Sequence, residues 1–89
     1  MTSIYKYPFD VNDRVELLMP ASAEILTVQM QHGRPCVWAR VDPKEEPGIV
    51  VLRIFGTGHP IDDKNDMEYV GTFQMSGGAL VFHVFEVTQ

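Results

Sequence analysis

The chain has 89 residues, enough for one compact domain with a small core, and 45% of them are hydrophobic and 10% aromatic, the composition of a folded globular protein rather than a disordered one. The formal net charge of -5 argues against a binder of long nucleic acid, because that affinity comes largely from neutralising many phosphates with Lys and Arg. No stretch approaches the roughly 20 apolar residues that span a bilayer, and the start MTSIYKYPFD has none of the regions of a signal peptide, so a cytosolic protein is expected.

Period-2 alternation dominates, and no amphipathic 3.6-residue pattern is long enough for a helix, so the fold is expected to be mainly β. The first run, Ser3 to Tyr7, places Ile4 and Lys6 opposite Tyr5 and Tyr7 before Pro8 removes a ladder donor, which reads as an edge or terminal strand. Arg14 to Met19 carries Val15, Leu17 and Met19 on one face and ends at Pro20, the pattern of a half-buried strand. Glu24 to Gln31 alternates Leu26, Val28 and Met30 against Thr27, Gln29 and Gln31. The pair His32-Gly33 then suits the type I′ turn of a tight hairpin, and its register puts Val37, Ala39 and Val41 opposite Cys36, Trp38 and Arg40 on the strand Arg34 to Val41.

After the acidic loop DPKEEPG, Ile49 to Phe55 has Val50, Leu52 and Ile54 on one face and Val51, Arg53 and Phe55 on the other. The segment GTGHPIDDKND reads as a long loop whose acids are solvated. Glu68 to Met75 places Tyr69, Phe73 and Met75 opposite Val70, Thr72 and Gln74, and SGG turns the chain. The last strand, Ala79 to Val87, is apolar on both faces apart from His83 and Glu86, so it is expected to run through the middle of a sheet. Together these elements predict a single mainly β domain over 1–89, a small antiparallel β-sandwich or partly open barrel of about six or seven strands.

Two groups of residues carry candidate chemistry. Gly56-Thr57-Gly58-His59-Pro60 follows a strand directly, and its backbone N–H groups, the Thr57 hydroxyl and the His59 imidazole together suit a phosphate or carboxylate, with Arg53 supplying charge. The segment is neither a P-loop nor a dinucleotide fingerprint, and a tight structural corner fits it as well. The second group is Trp38 and Arg40 on one strand with Arg53 and Phe55 on another that is expected to lie nearby, an arrangement able to stack a base and grip its phosphates, or to form a subunit interface. His32, His59 and His83 have no metal-ligand spacing, so no metal or cofactor is expected, and His83 reads as a satisfied core histidine. The lone Cys36 has no disulfide partner and reads as a strand residue. Asp62, Asp63 and Asp66 lack the glycine and terminal Glu of a calcium loop.

The strings IYKYPF, WARVDP, RIFGTGHPI and YVGTFQMSGGALVFHVFE, spread over nearly the whole chain, resemble a family of short phage-encoded proteins of unknown function. This sequence departs from the family pattern at Met19-Pro20, where Leu-Pro is usual, and at His32, where Asp or Asn is commoner. The resemblance implies a bacteriophage origin and the cytoplasm of a bacterial host, and it carries no activity.

The leading expectation is therefore a non-catalytic, homo-oligomeric phage accessory protein that sequesters a small anionic ligand, a nucleotide-derived immune signal of the host. Its expected contacts are Arg40 and Arg53 on phosphate, Gly56 to Gly58 as backbone donors, Thr57 and His59 as hydrogen-bonding groups, and Trp38 or Phe55 stacked on a base. The alternative is a protein-interaction module that inhibits a host protein, or assembles with a phage component, through a strand edge or the Trp38 face. Ranked below both is a nucleotide-degrading hydrolase with His59 as general acid or base.

Overall fold

The structure, a computed structural model, describes residues 1–88. Its strands are β1 (Ser3–Pro8), β2 (Arg14–Pro20), β3 (Glu24–Gln31), β4 (Arg34–Val41), β5 (Pro47–Gly56), β6 (Met67–Met75) and β7 (Leu80–Val87), with a short 3-10 turn over Ser76–Gly78 before β7. They form two antiparallel sheets, a three-stranded one in the order β1-β4-β3 and a four-stranded one in the order β2-β5-β7-β6. The expected small β-sandwich is the architecture observed.

The core lies between the sheets. Val28 and Val37 from the three-stranded sheet meet Val15, Leu52, Ile54, Phe73 and Val84 from the four-stranded one, and Phe9, on the connection after β1, closes the group edge-on to Phe73. A second buried group, Met19, Ala39 and Val41, fills the other end. On β4 and β5 the core face is the one expected, with Val37, Ala39, Val41, Leu52 and Ile54 buried; on the opposite faces Arg40 is exposed and Trp38 and Arg53 are half-buried, while Cys36 and Phe55 are buried as well. The two-residue turn at His32-Gly33 takes the conformation that a type I′ hairpin needs, with φ of 51° and 78°.

Two strands depart from strict alternation. β3 is irregular between Ile25 and Thr27, so Ile25 packs on the core and Leu26 is exposed, against the expectation that Leu26 shares a face with Val28 and Met30. β6 is irregular between Tyr69 and Gly71, and the extra residue moves Tyr69 to the face of Thr72 and away from Phe73. One inserted residue inverts the side-chain phase of everything before it, which is why a period-2 reading misassigns these faces. At Gly71 the two sheets lie close together: a Cβ there would lie 2.8 Å from Val28 Cγ1.

The path of the chain from β5 to β6 decides where the candidate site lies. Both strands pair antiparallel with β7, one on each side, so they run parallel to each other and their connection must return along the sheet. Residues 57–66 do so across the outer face of the four-stranded sheet, as a strap. The expectation that the acids of this segment are solvated is corrected at Asp63, whose side chain is only 6% exposed because it is folded against Arg53.

Candidate functional site

Arg53 and Phe55 project from the outer face of β5, and the strap closes over them. The guanidinium of Arg53 is held from three directions. Its Nε donates to the Asp13 carbonyl at 2.9 Å, its Nη1 donates to Asp63 Oδ2, and its carbon lies 5.0 Å from the centre of the Phe55 ring. The same Asp13 carbonyl accepts from Ile54 N at 3.1 Å, tying the loop before β2 to the edge of β5. Asp63 in turn accepts from Asn65 N and Nδ2 through Oδ1, both at 2.8 Å. The Asn65 N–H first, and the Arg53 guanidinium after it, hold the Asp63 carboxyl below the ordinary carboxylate range, against the opposing effect of burial.

The strap leaves hollows where it crosses. One, of about 540 Å³, opens between the strap and the loop before β2 and is lined by Asn12, Asp13, Arg53, Phe55, Gly56 and His59 among others. A smaller one, of about 250 Å³, runs along the sheet from Gly56, Thr57, Gly58 and His59 to Ile61, His83 and Phe85. Of the residues selected from the sequence, Phe55, Gly56 and His59 line both hollows, whereas Arg53 lines the larger and Thr57 and Gly58 the smaller.

Trp38 and Arg40 line neither. Their strand β4 lies in the three-stranded sheet and β5 in the other, so the two pairs project from opposite outer faces of the sandwich. The expected joint surface of Trp38, Arg40, Arg53 and Phe55 does not exist in this fold. Arg40 is instead ion-paired with the cross-strand Glu24 at an exposed position.

The GTGHP segment also differs from the expected anion cradle. His59 N donates to the Gly56 carbonyl at 3.0 Å, closing a tight turn, and Thr57 N donates to Val81 O at 3.2 Å, so these two backbone donors are committed within the protein. Gly58 sits at φ +87°, the left-handed position that a turn of this kind reserves for glycine. Gly56 has a different reason to lack a side chain: the His59 ring folds onto it, with Nδ1 2.9 Å from where a Cβ would be.

His83, expected in the core, belongs to the outer face, and it is the residue that the sequence reading missed. Its Nε2 is 2.7 Å from Thr57 Oγ1 and its Nδ1 is 2.9 Å from Thr72 Oγ1, and Thr72 Oγ1 is 2.5 Å from the Tyr69 hydroxyl. Hydroxyls donate and accept, so the chain can be ordered in either direction. With the proton on His83 Nε2, the Thr57 O–H is released toward the smaller hollow as a donor. The signal for this role was present, since His83 shares its face with Phe55 through the β5–β7 register, but it required knowing that β5 and β7 pair. Phe85 packs edge-on to both Phe55 and Tyr69, at 5.9 and 5.5 Å between ring centres, and forms the apolar floor.

In comparisons with known proteins, neither a curated protein nor a solved structure matches the chain. A family model does match, over residues 1–89, and the chain belongs to that family, described as a domain of unknown function, DUF7352.

Proposed function

We propose that this protein is a non-catalytic binder that sequesters a small anionic ligand, of nucleotide-derived chemistry, beneath the strap. The observation that carries the reading is the hollow of about 540 Å³ in which a fixed guanidinium, Arg53, stands beside Asn12, His59 and the aromatic residues Phe55 and Phe82. A single well-placed cation with hydrogen-bonding neighbours and an apolar wall is a common way to orient a small charged ligand. Arg40 and Trp38 take no part in this version of the site, and Thr57 contributes its hydroxyl rather than its N–H. A signal nucleotide of a bacterial host, taken up by a phage accessory protein, is the ligand that this reading puts first.

Thermal unfolding of the full chain against cyclic dinucleotides, cyclic ADP-ribose isomers and ordinary nucleotides tests the proposal, because a ligand that binds only the native state raises Tm by mass action. A selective rise that Arg53→Ala removes supports it. No rise with any member of the panel rejects it.

A second reading, a protein-interaction module, is favoured by Leu18 and Ile49. They face each other across the β2–β5 register on the outer sheet face, away from the strap's anchor, and are 61% and 59% exposed. A solvated sheet face ordinarily carries polar residues there, and adjacent exposed aliphatics suit a partner surface. Loss of partner capture in Leu18→Lys, with unchanged ligand response, is the result this reading expects.

A further inference from the structure

We propose that the Asp63 carboxylate is a built-in occupant of the ligand's anion position, and that a phosphate or carboxylate displaces it from Arg53 and lifts the strap. The inference rests on the ligand reading above and adds how the site is regulated.

Four ion pairs join described residues. In three of them both side chains are at least half exposed, at 55% and 55%, 54% and 86%, and 57% and 57%, whereas Arg53 and Asp63 are 19% and 6% exposed. The largely dehydrated pair therefore lies at the hollow, where Arg53 lines both the space beside the loop before β2 and the space beside Lys64 and Asn65.

The two partners are held differently. Arg53 is anchored to the sheet by its own backbone, by the Asp13 carbonyl and by the Phe55 ring, so its guanidinium keeps its position when Asp63 departs. Asp63 is anchored only to the strap, and its bonds from Asn65 travel with it. Its contact with Arg53 runs through one nitrogen, Nη1, and one oxygen, Oδ2. An incoming anion with two oxygens in a plane can meet the guanidinium in a two-bond fork, which is the stronger arrangement. The released carboxylate regains water at no loss of its turn.

Displacement is also the way in which this site becomes attractive to an anion. Asp13 and Asp62 line the same hollow as Arg53, so with Asp63 in place acids outnumber the cation. Asp63 is then a specificity device: weakly held or singly contacting anions fail to replace it, and only a ligand with further contacts under the strap does.

Titration calorimetry of the full chain tests this, with pyrophosphate, AMP and cyclic di-AMP as phosphate probes and citrate as the carboxylate probe. Asp63→Asn is expected to bind the responsive probe about tenfold more tightly than the native protein, a difference within the range of one charge-assisted hydrogen bond, and Asp63→Glu to restore native affinity. Tryptic cleavage after Lys64, which lies next to Asp63 in the strap, is expected to quicken when the probe binds the native protein. Equal or weaker binding by Asp63→Asn overturns the displacement while leaving the ligand reading intact, and so does slower cleavage at Lys64 on binding. Failure of every probe to bind both native protein and Asp63→Asn overturns the two together.

Discussion

Thr57 and His83, 26 residues apart in sequence, are joined side chain to side chain at 2.7 Å, which ties the turn after β5 to the middle of β7. The same imidazole reaches Thr72 on β6, so a single ring spans three segments of the outer face. Thr57→Val keeps the shape of the side chain and removes the hydroxyl. It is expected to lower unfolding stability by about 1 kcal/mol, the typical net worth of one such bond. Urea unfolding should show the midpoint fall without a change of slope.

Gly71 tests the closeness of the two sheets. Its missing Cβ is what lets β6 approach Val28, and Ala at that position would meet Val28 Cγ1 at 2.8 Å, with the Val28 backbone N and O at 3.7 and 3.8 Å behind it. Gly71→Ala is expected to cost about 1–3 kcal/mol, as overpacking of a tight contact does. The double variant Gly71→Ala with Val28→Ala is expected to cost less than the two single changes added together, because it removes the methyl that clashes. A double variant that costs as much as the two single changes added together would locate the effect elsewhere.

Glu86 is a source of pH dependence. It stands beside Leu52 and directly opposite Glu68 in the β6–β7 register, and burial first, with the Glu68 charge second, pushes its carboxyl above the ordinary range. A carboxyl raised in the folded state binds its proton more tightly there than in the unfolded chain. Its ionised form therefore opposes folding at neutral pH, and the penalty disappears as pH falls through its folded value. Glu86→Gln is expected to raise Tm at pH 7 and to lose that advantage on acidification into the carboxylate range. Asp63 acts with the opposite sign: its lowered value contributes stability above the ordinary carboxylate range, and this is lost as pH falls through the folded value. Tm profiles of the native protein, Glu86→Gln and Asp63→Asn between pH 3 and pH 7 separate the two.

His32 occupies the first central position of the β3–β4 hairpin with φ 51°, a left-handed conformation in which the Cβ of any residue other than glycine crowds the following carbonyl. Asn accepts that conformation more readily, so His32→Asn is expected to stabilise the protein by about 0.5–1 kcal/mol. Thermal unfolding checks it, and a loss of stability would mean that the imidazole makes a compensating contact.

The sequence by itself determined the elements that depend on near neighbours. The alternation of Val37, Ala39 and Val41 against Trp38 and Arg40, the His32-Gly33 turn, the prolines that close β1 and β2, and the apolar character of β7 follow from local chain geometry and from which side chains avoid water. β7 is apolar on both faces because the core covers one and the strap covers much of the other. Tertiary structure alone decided the rest. A bulge is one extra residue, with no mark in composition, yet it moved Tyr69 into the company of Thr72 and His83 and turned Leu26 outward. Strand order carries no local signal either, and it was strand order that parted Trp38 and Arg40 from Arg53 and Phe55 by assigning β4 and β5 to different sheets. Because β5 and β6 flank β7 in parallel, residues 57–66 had to cross the sheet, and that crossing brought Asp63 to Arg53 and made a site out of residues that the sequence leaves as a strand and a loop.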